Sequence, residues 1–163
     1  MLPLWLLLFW PSPLWLILIP ANYVIDRVVL WWGLKGIEDR SAFCRKHTWK
    51  ICLAGFAADF LGMIILFCTS FLPELIWEDL SLSEFFEDVM YGVGFNPFSS
   101  FLSLFIVLIA IAISGLVIFV LDRRILTKAG LDNDLATSAA KKLALITAPY
   151  LYLVPSAMMY TSV

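Results

Sequence analysis

The sequence predicts an all-helical membrane protein, with four spans in two hairpins and a short amphipathic helix on the outer surface. Three observations carry that reading. Apolar residues make up 62% of the 163 and charged residues only 15%, against roughly 45–50% and about 25% in a soluble domain. Four apolar stretches, 14–34, 51–72, 98–121 and 143–159, are long enough to cross a hydrocarbon core, which takes roughly 17–25 helical residues, the fourth being the shortest. Ten of the eleven cations fall in just two of the connections between them. The length accommodates one domain, a single transmembrane unit over 1–163.

The N-terminal thirteen residues are apolar but too short to span, and Pro3, Pro11 and Pro13 oppose a continuous helix. They read as an outer-leaflet arm. A secretory signal is the rival, but it needs a cationic start, and no cation precedes Arg27. The first span ends at a connection holding Lys35, Arg40, Arg45, Lys46 and Lys50, and the third at one holding Arg123, Arg124, Lys128, Lys141 and Lys142. Because Lys and Arg are retained on the cytoplasmic side, both basic connections are expected inside the cell membrane and both termini outside. Trp31, Trp32 and Trp49 mark the inner boundary, and Trp10, Trp15 and Trp77 the outer one.

The outer connection carries Glu74, Glu78, Asp79, Glu84, Glu87 and Asp88 and no cation. Within it Ser81 and Glu84 have capping-box spacing, followed by Leu82, Phe85, Phe86 and Val89 at helical intervals. An interfacial helix over about 82–90 is expected there, phenylalanines towards lipid and carboxylates towards water. On the inner side an helical hairpin over about 122–142 is expected, with Gly130 ending its first arm and Asp132 or Asn133 capping the second. Arg123, Arg124, Lys141 and Lys142 on that hairpin are candidate contacts for anionic lipid headgroups. Pro149 and Pro155 mark kinks in the fourth span, and Pro20 in the first.

Three ionisable residues stand inside spans: Asp26, Arg27 and Asp59. Each costs roughly 2.5–3.5 kcal/mol at a helix centre, so each needs a partner. Asp26 precedes Lys35 by nine residues and Asp59 follows Lys50 by nine, which puts both carboxylates about 13 Å from the inner boundary at 1.5 Å per residue. Gly55, Asp59 and Gly62 share a helix face on which another backbone can approach, and Asn22, Asp26 and Gly33 make a similar stripe. Ser114 and Tyr150 fall at the same level by the same counting. An intramembrane polar cluster of Asn22, Asp26, Arg27, Asp59, Ser114 and Tyr150 is therefore expected. Two acids beside one guanidinium leave one acid in excess, able to exchange a proton.

Catalytic signals are lacking. There is no Gly-rich phosphate loop, no His-Glu metal motif and no nucleophile elbow, and His47 is the only histidine. Cys44, His47 and Cys52 give three ligands without a fourth, outside zinc spacings, so no metal site or cofactor is expected and the three cysteines read as buried thiols. A net charge of −2 offers no footprint for nucleic acid. The expected partners are the bilayer and either other membrane proteins or further copies of the chain. The functional expectation is a non-catalytic membrane subunit or interaction protein held together by the Asp/Arg/Asp cluster. Its rival is a proton- or cation-coupled transporter or channel using the same acids.

Overall fold

A computed structural model describes residues 3–8, 13, 15–76, 84–156 and 158. Within these residues five α-helices run in order: α1 Trp15–Gly33, α2 Arg40–Ile76, α3 Glu84–Phe95, α4 Phe101–Lys128 and α5 Asn133–Thr147. Short 3-10 turns occupy Leu4–Leu8, Pro97–Ser99 and Tyr150–Leu153. Among the described residues there is no strand. Among the described residues, three helices are long and apolar enough to cross a membrane: α1, α2 over Arg40–Phe71, and α4.

The fourth apolar stretch departs from expectation. It does not form one continuous helix. α5 ends at Thr147, Pro149 follows with no amide proton to continue the ladder, and the chain proceeds as a 3-10 turn to Leu153. Pro20, in contrast, lies within α1 without ending it. The first basic connection is also more helical than expected. Its turn closes over residues 34–39, where Gly36 and Asp39 have φ values of 94° and 56°, and Arg40 already opens α2.

The second basic connection follows its local chemistry closely. Gly130 sits at φ 93°, a left-handed conformation without penalty for glycine. Its amide donates to the Thr127 carbonyl and that of Leu131 to the Leu126 carbonyl, at 3.1 and 3.2 Å, the paired bonds of a Schellman ending. Asp132 then caps α5 by accepting from the Asp134 amide at 3.0 Å.

Two compact units emerge. One joins Pro13–Asp59 to Ile113–Ala148 and contains every Lys and Arg of the chain, eleven against seven acids, for a net +4. The other joins Met1–Ser12, Phe60–Ala112 and Pro149–Val163, with six acids and no cation. In the basic unit α1 packs on α5, and its core gathers Leu30, Leu34, Ile51, Leu126, Ala139 and Leu143. The approach is closest at Gly33, where an added Cβ would lie 3.2 Å from both Cα and Cβ of Ala139. Gly55 is different: a Cβ there meets nothing within 4 Å. Of the two helix faces expected to allow close backbone approach, the one carrying Gly33 meets a neighbouring backbone, that of Ala139 on α5, at its glycine.

In the acidic unit the N-terminal arm is part of the packing. Trp5 is 3% exposed, donates from Nε1 to the Val93 carbonyl at 3.3 Å, and meets the Phe71 ring edge-on. The Leu4 amide donates to Ser156 Oγ at 2.7 Å. The interfacial helix begins at Glu84 and runs to Phe95, five residues further than expected; its proposed cap, Ser81, and Leu82 lie outside the described residues. Phe86 is 52% exposed while Val89 and Met90 are buried. On the same helix a Cβ at Gly92 would lie 2.6 Å from Ser99 Oγ and 2.8 Å from Ser103 Cβ. Ser103 cannot yield freely, since its hydroxyl donates to the Val89 carbonyl at 3.1 Å. Gly92→Ala is expected to cost about 1–2 kcal/mol, read as a lower midpoint of unfolding in mixed micelles.

Candidate functional site

The basic unit buries a set of polar side chains that arise from the register of three helices. On α1 the buried residues Asp26, Val29, Leu30 and Gly33 recur at i, i+3, i+4 and i+7, one continuous face. On α2 the buried face runs through Cys44, Thr48, Ile51, Cys52 and Ala58, with Asp59 half-buried at its end. On α4 a stripe at four-residue steps, Ser114, Ile118, Asp122 and Leu126, is no more than 1% exposed at any position. An acid lies on each of the three faces.

These acids act on one another. The negative charge of Asp26 reaches both Asp59 and Asp122, and the Cys52 thiol lies within hydrogen-bonding reach of the Asp26 carboxylate. Asp122 is the most enclosed, at 0% exposure. Both of its carboxyl oxygens are shielded from solvent and make no hydrogen bond among the described residues. Burial and the Asp26 charge both act on Asp122. Arg27, next to Asp26 in the chain, is half-buried on α1.

Charged carboxylates that are buried near one another without a cation are costly by several kcal/mol each. Asp122, whose carboxyl oxygens make no hydrogen bond among the described residues, bears that cost most directly. Among the described residues, no three His, Cys, Asp or Glu side chains converge closely enough to hold a metal ion. Comparison of the chain with protein-family models, with curated proteins and with solved structures gives no match.

The residues expected in the polar cluster occupy different environments. Asp26 and Asp59 come within electrostatic reach of each other, and Ser114 is fully buried on α4. Asn22 is half-buried on α1. Tyr150 belongs to the acidic unit, in the turn after Pro149, and is 49% exposed. The depth expected for Tyr150 requires a helix unbroken through Pro149, whereas α5 ends at Thr147. Asp122 was missed because it adjoins Arg123 and Arg124 and so reads as part of a solvated arm. The signal that identifies it is its spacing, four residues beyond Ile118 and four before Leu126.

The cysteines divide. Cys44 and Cys52 are buried free thiols, whereas Cys68 is exposed on α2, contrary to expectation. Of the expected headgroup contacts, Arg123 and Arg124 line an open groove with Lys128. Lys142 instead places its ammonium 4.9 Å from the centre of the Trp32 ring, and Lys141 is exposed on α5. Arg40 lies over Trp31 in the same way, at 3.5 Å. These cation–π pairs give the exposed tryptophans at the end of α1 a polar side and an apolar side.

Proposed function

We propose that the chain is a non-catalytic integral membrane protein that binds and releases protons at Asp26, Asp59 and Asp122, and that proton-coupled transport is the activity this site serves. The observation that carries the reading is Asp122, a fully buried acid whose oxygens make no hydrogen bond among the described residues and which feels the charge of a second buried acid. An acid retained at such cost within an apolar helix is a functional group by default. The excess of cations in the basic unit supports a cytoplasmic placement for that unit in the cell membrane. With few helices to enclose a pathway, several copies of the chain would form it together.

The test is proton flux into proteoliposomes under an imposed potential, followed by an entrapped pH indicator. Asp26→Asn and Asp122→Asn are each expected to lower the flux at least tenfold while helicity stays unchanged. Flux equal to that of the unaltered protein in both variants overturns the reading. A second reading, a membrane subunit or interaction protein held by its polar cluster, is favoured by the contact between Cys52 and Asp26 and by the close packing of α1 on α5. It predicts a stoichiometric membrane partner after purification in mild detergent.

A further inference from the structure

The end of α4 carries a groove of about 400 Å³ whose walls differ in chemistry. On one side are Phe119 and Val120, the last turn of an apolar run that contains no charge from Phe98 to Leu121. On the other are Arg123, Arg124 and Lys128, all exposed, with Asn133 at the start of α5. No carboxylate lines the groove among the described residues. The acid nearest in sequence, Asp122, is buried on another face of α4, and Asp132 has one oxygen engaged in capping α5.

Arg124 and Lys128 are one turn apart on the same helix, an arrangement of like charges that is unfavourable unless an anion lies between them. Arginine forks suit phosphate oxygens, which they engage in paired hydrogen bonds. Thr127 contributes less, because its hydroxyl already donates to the Arg123 carbonyl at 2.8 Å; its oxygen remains only an acceptor. A free phosphate would use the cationic wall and leave Phe119 and Val120 uncovered. An amphiphile uses both walls.

We propose that this groove binds the phosphate of an anionic phospholipid, with Arg123, Arg124 and Lys128 on the headgroup and Phe119 and Val120 against its glycerol and upper acyl carbons. This site is separate from the acid cluster and does not depend on the proton reading. The basic connections attract anionic membrane in general through charge, so the claim here is narrower: the groove residues matter beyond their number of charges.

The experiment is native mass spectrometry of the full chain in detergent, titrated with phosphatidylglycerol, with phosphatidylcholine, and with inorganic phosphate. The double variant Arg123→Gln, Arg124→Gln is compared with Arg45→Gln, Lys46→Gln, which removes the same charge from exposed positions of α2. The expected result is a bound phosphatidylglycerol whose occupancy falls at least fivefold in the groove variant and less than twofold in the control. Phosphatidylcholine should bind at least fivefold less than phosphatidylglycerol, and millimolar phosphate should leave the lipid in place. Equal losses in both variants, or displacement of the lipid by phosphate, overturn the proposal. Helicity and elution volume matching the unaltered protein ensure that a loss reports on the groove.

Discussion

Trp5→Ala is expected to lower the stability of the acidic unit by about 3–5 kcal/mol, the range for truncating a buried large aromatic. The indole is nearly inaccessible, at 3% exposure, and has the Phe71 ring at its edge with centroids 6.4 Å apart. Its Nε1 also satisfies the Val93 carbonyl at 3.3 Å, a long bond and so the smaller part of the loss. Trp5→Phe separates the two contributions, since it keeps an aromatic ring and removes the donor; about 1–2 kcal/mol is expected. The measurement is unfolding in mixed micelles titrated with a denaturing detergent. A shift below about 1 kcal/mol for Trp5→Ala would mean that the arm does not pack as described.

Gly33→Leu is expected to cost about 3 kcal/mol, at the upper end of overpacking. The first side-chain atom already falls 3.2 Å from the Cα of Ala139, and backbone cannot rotate aside as a side chain can. Beyond it the Lys142 stem stands 3.9 Å from the same Cβ position, and Leu30, Leu34 and Ala139 are all fully buried around the contact. Separating α1 from α5 would also disturb the face that holds Asp26. Gly55→Ala is the matched control: it meets open space and should gain up to about 1 kcal/mol from helix propensity. Equal effects at Gly33 and Gly55 would argue against the close α1–α5 contact.

The two glycines show how far pattern alone reaches. Spacing identified Gly33 and Gly55 alike as candidates for close approach, because both share a helix face with an acid. Which one is pressed against another backbone depends on where Ala136, Ala139 and Ala140 of α5 lie, and those residues are distant in sequence from both. The same limit explains Asp122. Adjacent cations gave it the appearance of a solvated residue, while the packing of Ile118 and Leu126 turns its face inward. Tyr150 follows the break at Pro149, where the chain is no longer the helix along which its depth is counted.

Local chemistry by itself determined the all-helical class, three stretches long and apolar enough to cross a membrane, the ending of α4 at Gly130 and the cap of α5 at Asp132. Each of these depends on residues within a few positions of one another, through hydrophobic length, left-handed φ and a single hydrogen bond. Tertiary structure alone decided that Asp122 is fully buried, that Trp5 folds into the acidic unit, and that Gly33 takes the close contact. Burial is a property of what packs opposite a side chain, and for all three the opposing surface comes from another part of the chain.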